Sequence, residues 1–579
     1  MKLSQYVLDF LVKQGIGHVF LITGGAIAFQ VDAFHGRKDI EYVYTAHEQA
    51  AAMMAESYAR HKGLGCAMAT SGPGATNLIT GICCAWFDSI PTLYITGQVS
   101  PQDSKGDSKV RQMGFQETDI VSMVRPITKY AKLLAKPNDI GYELEKAVCI
   151  AKSGRPGPVL IDIPMDYQKA EIGKQRKYTS FRIDHNSFIH NKAHDKFLNQ
   201  IVTDLENAER PVLIAGGGIK RSGAEKWAHS IATKLQIPVV SSWSAYDVFE
   251  RRHPLYRGAF GVYGERGANF TVQNADFILS VGSRLDTRQT GTPKLFAREA
   301  RVTMIDIDKS ELMKNKGFKP YRILQADAAT FLSELDAKIT RQLFVPEWVK
   351  KSKDWCRKYP IVDPKWYEEK TYVNSYVFMR ELSKLAPSNS VIIPDDGGHL
   401  TWAMQAWEVK KGQSMYSAFG NSPMGYSFPA AIGASFATKR PIICIDGDGS
   451  FQINIQELTT LKHYQPNVKI FILDNQGYGI IKQFQGLYLG GRETATNPPI
   501  PDFVQIARAY GIAVEMVNDN SQLYRIEPFL KYRGPAVCVV NIKPDQKLIP
   551  KVEYGKPIED LSPLLPRDEF VKNMIVKTV

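Results

Sequence analysis

Residues 441–485 read PIICIDGDGSFQINIQELTTLKHYQPNVKIFILDNQGYGIIKQFQ. An apolar run (442–445) stops at Asp446-Gly447-Asp448-Gly449. Ile455, Leu458 and Leu461 then recur at helical spacing, and a second apolar run (468–473) stops at Asp474-Asn475. This is the pattern of a strand, a crossover helix and a parallel strand. Open parallel sheets bind ligands beyond the carboxyl ends of their strands, so Asp448 and Asn475 fall on one functional edge.

The residue types there define a chemistry. A carboxylate (Asp448), a side-chain amide (Asn475) and an exposed loop carbonyl, that of Gly477, are the hard oxygen ligands that Mg²⁺ takes when it also holds phosphates. Gly447 and Gly449 let the backbone approach a diphosphate, and the helix that opens at Ser450 offers free N–H groups to it. The stretch reads as a phosphate-plus-metal site.

The chain around it has 579 residues, too many for one core. A hydrophobic content of 44%, a charged content of 23% and the absence of low-complexity tracts mark a globular protein. Seven cysteines, most of them in apolar runs (Cys66, Cys83, Cys84, Cys149, Cys444, Cys538), give neither a disulfide framework nor paired metal spacing, and read as reduced thiols of a cytoplasmic enzyme. The first residues, MKLSQYVLDFLVKQGIGHVFLI, form an amphipathic helix and a strand rather than a targeting segment, because Asp9 and Lys13 interrupt the apolar residues. No window reaches the ~18 apolar residues of a membrane span. The net charge of +13 is spread along the chain, and no nucleic-acid recognition motif accompanies it.

Strand and helix patterns alternate throughout, with strands expected at 19–22, 66–70, 92–96 and 159–163, then 212–215, 239–241, 277–281 and 302–305. A polar, basic stretch (174–196) and a Trp-, Lys- and Pro-rich one (347–370) read as connectors. The expected architecture is α/β, with three doubly wound parallel-sheet domains at 1–175, 195–345 and 371–550, followed by a C-terminal tail at 551–579.

In the first domain Glu48 opens a helix of small residues, where an acidic group complements the helix dipole. Further on, Thr70-Ser71-Gly72-Pro73-Gly74-Ala75-Thr76-Asn77 makes a strand-to-helix turn whose glycines admit a flat ligand. Taken alone, each is equally well a structural feature.

AHEQAAAMMAESYAR around Glu48, the GPGATN turn, GFQETDI around Phe115 and Gln116, and GRPGPVLIDIP at 154–164, together with the opening motif, resemble the thiamine diphosphate (ThDP) enzymes, most closely the acetolactate synthase catalytic subunits. The resemblance extends to about residue 550 with its motifs in order. It implies that Glu48 hydrogen-bonds the cofactor's pyrimidine ring, that Gly72 and Asn77 flank it, and that Gln116 and Phe115 lie at the substrate. It also implies homodimers or homotetramers that bring Glu48 of one subunit to the diphosphate site of another, and leaves open a regulatory subunit.

In the central domain Gly216, Gly217, Arg284, Asp306 and Asp327 resemble positions that bind FAD, largely as a structural cofactor, and Arg288 resembles an arginine that holds the carboxylate of an acceptor keto acid. In the third, Met424 matches a bulky residue that supports the bent cofactor, while Ile480, Ile481 and Phe484 line the acceptor pocket. Two residues depart from the family pattern: Phe484 stands where a tryptophan is usual, and Met165 where a lysine follows DIP. The implied activity is decarboxylation of pyruvate and transfer of the two-carbon unit to a ketone, giving 2-acetolactate when the ketone is a second pyruvate. The departures keep a bulkier acceptor open, such as a nucleotide-linked keto-sugar. A pyruvate oxidase, a simple 2-keto acid decarboxylase and a non-catalytic paralogue are the remaining readings, though the last should have lost Glu48, Asp448 or Asn475, and all three are present.

Overall fold

A computed structural model describes residues 1–178, 192–314 and 317–579. Most of the expected first connector, 179–191, lies outside the described residues. Three six-stranded sheets, all parallel, follow one another along the chain. The first runs, edge to edge, Glu41–Tyr44, His18–Leu21, Gly65–Ala69, Thr92–Gln98, Val159–Pro164, Tyr130–Leu133. The third runs Ser414–Met415, Val391–Pro394, Ile442–Gly447, Val468–Asp474, Ala536–Asn541, Ala513–Val517. Numbered within each unit, both have the order 2-1-3-4-6-5. The central sheet has the order 3-2-1-4-5-6, with Pro211–Ala215 and Phe277–Val281 adjacent where the winding reverses.

The opening stretch forms the expected unit, with Ile442–Gly447 paired in parallel to Val468–Asp474 and Gly447 opposite Leu473. The crossover, expected as one helix, is broken instead. Residues Asp448–Phe451 and Leu458–Tyr464 are helical, but between them Asn454 leaves helical geometry (φ −127°). Its side-chain amide donates to the Gly425 carbonyl at 2.7 Å. A local hydrogen bond to another loop thus outweighs helix continuation.

The outer units are joined by two helices buried nearly all round. In Glu48–Lys62 every residue from Ala50 to Ala59 is buried, and it packs against Ser427–Ala437. Small residues set the approach: a Cβ on Gly433 would strike the Met54 backbone, and one on Gly81 would strike Ala52. Ions brace the same contact. Arg60 binds Glu56 and, at 2.8 Å, Asp88, with the three side chains 3%, 0% and 7% exposed. Tyr426 donates to the other oxygen of Glu56, and Ser57 donates to the Ala430 carbonyl.

Residues 551–579 lie against the central unit. Ile558, Leu561 and Phe570 share an apolar core with Phe270 and Trp355, and the Trp355 indole donates to Asn573 at 2.9 Å. Among the described residues, no helix is long and apolar enough to cross a membrane.

Removing one partner from a buried ion network leaves an uncompensated charge. Arg60→Ala is therefore expected to destabilise the chain by about 3–5 kcal/mol, read as a drop in the thermal unfolding midpoint. Arg341→Ala, which breaks an exposed pair with Glu206, should leave that midpoint unmoved.

Candidate functional site

The carboxyl edge of the third sheet opens into a pocket of about 960 Å³ of empty space. Its wall brings together the predicted Met424, Gly447, Asp448, Gly449, Ser450, Asn475, Gly477, Ile480 and Ile481. The ends of adjacent strands place Asp448 and Asn475, which are 2% and 8% exposed. Asp448 accepts from the Gly449 N–H at 2.7 Å and the Gly477 N–H at 3.0 Å, so the Gly477 loop is tied to the carboxylate. Burial, together with the nearby Asp474, pushes the Asp448 carboxyl up to about 7. A divalent cation held by Asp448, Asn475 and the Gly477 carbonyl would offset that cost, and the donor set suits Mg²⁺.

Met424 is set by its neighbour. The Gly425 N–H donates to Asp395 at 2.7 Å and its carbonyl accepts from Asn454, with φ at +82°, a conformation that favours glycine. The residue after Met424 is thereby held at both its N–H and its carbonyl.

The sequence reading missed His399. It follows the strand Val391–Pro394 on the same edge, and the strand-end turn Asp395-Asp396-Gly397-Gly398 before it was the only local signal. A Cβ on Gly447 or Gly397 would collide with the imidazole, so glycine lets the ring lie flush on the strand end. Among the described residues Nε2 is buried without a hydrogen-bond partner, and burial lowers the pKa of the ring to about 3, so it is neutral. Asp395, His399 and Asp446 could together hold a metal. Their carboxylates, however, already brace the fold: Asp395 accepts from Gly425 and Ser427, and Asp446 from Gly447 and the Ser427 hydroxyl. Only the imidazole is left to serve a ligand.

The first-unit residues gather separately. Asn77 Nδ2 donates to Glu48 Oε2 at 2.9 Å, and Glu48 is 9% exposed. His47 caps the Glu48 helix by accepting from the Gln49 N–H. Gly72, at φ +62°, packs against Gln116. Phe115 is 86% exposed. None of these residues lines the third-unit pocket, whose wall comes entirely from residues 396–548. Phe484 also stays outside it, half-exposed beside Tyr488, and Met165 is partly exposed.

A second cleft, of about 1070 Å³ and open to solvent, lies at the winding reversal of the central sheet. It gathers the predicted Gly217, Arg284, Arg288 and Asp306, together with Asp88 and Arg155 from the first unit and Phe419 from the third. Gly216 lies behind it, where a Cβ would strike Gly282. Asp327 does not line it; its carboxylate caps the helix Ala328–Lys338. Arg155 bridges to Asp308 and Glu311, both at 3.0 Å, and Arg288 sits over the Trp243 ring at 5.1 Å.

Family models match all three units: the N-terminal TPP-binding domain of thiamine pyrophosphate enzymes at residues 1–123, their central domain at 198–335, and their C-terminal TPP-binding domain at 395–540. The acetolactate synthase large subunit of Cyanidium caldarium is 35% identical over 568 residues, covering 95% of this chain and 94% of that protein. The isozyme 1 large subunit of Escherichia coli (strain K12) is 33% identical, covering 95% and 96%. The mitochondrial catalytic subunit of Saccharomyces cerevisiae is 32% identical, covering 96% and 83%. With matched models along three sheets and relatives similar from end to end, the chain belongs to the thiamine pyrophosphate enzymes, in the group of the acetolactate synthase large subunits.

Proposed function

We propose that this enzyme condenses two molecules of pyruvate into 2-acetolactate and CO₂, using ThDP and Mg²⁺, with each active site assembled from two copies of the chain. The observation that carries this reading is the glycine-walled pocket in which Asp448, Asn475 and the neutral His399 converge. Bound there, ThDP supplies the electron sink that decarboxylation of a 2-keto acid requires.

The chain's own residues supply the rest. Asp448, Asn475 and the Gly477 carbonyl would hold the cation, and the Gly447–Ser450 backbone and His399 would bind the diphosphate. Met424 would support the cofactor, and Ile480 and Ile481 would give the reacting end an apolar, water-poor wall. Glu48 holds a proton toward the pyrimidine ring, oriented by Asn77. Gln116 and Phe115 meet the donor, and Arg288, whose guanidinium suits a carboxylate, meets the acceptor. The central cleft takes FAD, with the glycine turn at 216–218, Arg284 and Asp306 around it and Asp327 supporting the next strand end. Relatives named as acetolactate synthases favour pyruvate as acceptor over a keto-sugar, and carboligation over oxidation or simple aldehyde release.

The wall composition of the pocket is what supports assembly from two copies, a homodimer or a pair of them, since Glu48 contributes nothing to the pocket of its own chain. A regulatory subunit and a cytoplasmic location also fit this reading.

Purified protein given ThDP, Mg²⁺, FAD and pyruvate alone is expected to release CO₂ and form 2-acetolactate, followed by mass spectrometry. Glu48→Gln should slow turnover by about 10²–10⁴-fold. Pyruvate consumed only after a bulkier ketone is added would overturn the assignment of the acceptor. A mixing experiment tests the shared site. Glu48→Gln and Asp448→Ala chains, each inactive alone, should regain about a quarter of wild-type activity when co-expressed, because half of the dimers then carry one intact site of two. Mixtures that stay inactive would place both residues in one chain's own site.

A further inference from the structure

We infer that Arg221 and Ser242 are the groups in the central cleft that hold the phosphate oxygens of a nucleoside diphosphate moiety. This rests on reading the cleft as a dinucleotide site and adds the residues that would read its charge.

Arg221 ends the short helix Gly217–Arg221, which follows the strand Pro211–Ala215, and it lines the cleft. Among the described residues, its guanidinium makes no hydrogen bond or ion pair, and the carboxylates around it already hold other donors, with Asp247 Oδ1 alone left unpartnered. Glu56 is taken by Arg60 and Tyr426. Asp88 is taken by Arg60 and by the Phe419 and Gly420 N–H groups. Asp247 is taken by Lys220 and the Met415 N–H. Burial, with the positive Arg60 adding to it, draws the Arg221 guanidinium down to about 10. An incoming anion would offset both effects.

A second polar group points to the same ligand. Ser242, at the end of the neighbouring strand Val239–Ser241, lines the cleft, is 2% exposed, and has a buried hydroxyl with no partner among the described residues. Buried hydroxyls are ordinarily paired. A guanidinium fork and an O–H donor together suit phosphate oxygens.

The rest of the wall argues against a small anion as the occupant. Trp243 stacks on Tyr263 with ring centroids 6.1 Å apart and meets Phe419 at 6.3 Å. These rings offer an apolar face to a flat ring system joined to the phosphates. They belong to the same cleft as Arg221, so one ligand with a charged part and an aromatic part fills both.

The test is equilibrium binding of FAD, ADP and riboflavin to the full chain, by flavin fluorescence and calorimetry, at rising NaCl. FAD and ADP should bind, more weakly as salt rises, and riboflavin at least about 10-fold more weakly than FAD. Arg221→Gln should weaken FAD and ADP by about 10–100-fold, flatten their salt dependence, and leave riboflavin unchanged. Ser242→Ala should weaken both by about 3–10-fold, and Arg221→Lys should restore part of the loss. Unligated thermal midpoints identify a misfolded variant. If Arg221→Gln misfolds, Arg221→Lys, Ser242→Ala and the wild-type salt dependence decide the matter, and unchanged affinities with no salt effect overturn the inference. Tight FAD and ADP binding by a folded Arg221→Gln overturns it while the dinucleotide reading stands. A wild-type chain that binds riboflavin as well as FAD also overturns it, and one that binds none of the three overturns both.

Discussion

The close approach of the helix Glu48–Lys62 to the helix Ser427–Ala437 is the constraint on which both outer units depend. Backbone meets backbone where Gly433 faces Met54, and no larger residue fits at 433. The same two helices have at their starts residues that the proposed chemistry uses: Glu48 begins one, and Met424 stands just before the other. Tyr426, two residues beyond Met424, bonds Glu56, which lies two turns beyond Glu48. A shift of either helix would therefore move a residue that the proposed chemistry uses. In a site whose geometry must be kept within about half an ångström, rigid small-residue packing holds that tolerance better than a loop could.

The buried ions extend this constraint to the central unit. Asp88 receives Arg60 on one side and holds the Phe419 and Gly420 N–H groups on the other, which fixes Phe419 in the wall of the central cleft. The chain then runs through Ser422, whose hydroxyl donates to Asp396, to the clamped Gly425 peptide. Asp396 lines the third-unit pocket and is raised above the usual carboxylate range by burial, an effect that the positive Arg288 opposes. The two cavities are thus joined by one short segment, 419–425, pinned at both ends by carboxylates.

What could be read from the sequence was what is local. The strand-helix-strand pattern at 441–485 places Asp448 and Asn475 together because a parallel crossover leaves no other edge for them. The three sheets follow from the same alternation. What escaped depends on contacts between distant segments. His399 matters because Gly447, from another strand, has no side chain to displace its ring, and Arg221 because carboxylates from elsewhere in the chain already hold Arg60 and Lys220 instead. Asn454 breaks its helix for a carbonyl 29 residues away. Asp327 shows the opposite difficulty, since an acidic residue at a strand end has the same signature whether it meets a ligand or caps the next helix, and here it caps.

The departure at Phe484 gains a physical meaning from its position. On the helix Gly479–Tyr488 no residue is buried, and Ile481, Phe484 and Leu487 are 47%, 50% and 50% exposed. Ile480 and Ile481 line the pocket, while Phe484, one turn further on, packs against Tyr488 outside it. Such a row of apolar area gains about 25 cal/mol per Å² when covered, and in a site built from two copies the first unit of another chain, with its exposed Phe115, is what would cover it. On the proposed reading, a phenyl ring in place of an indole would change how that covering surface sits over the acceptor, with the proposed cation and diphosphate ligands untouched. Selection of the acceptor and activation of the donor would then be carried by different elements, so the first could drift while Asp448, Asn475 and the buried helix of Glu48 hold the second.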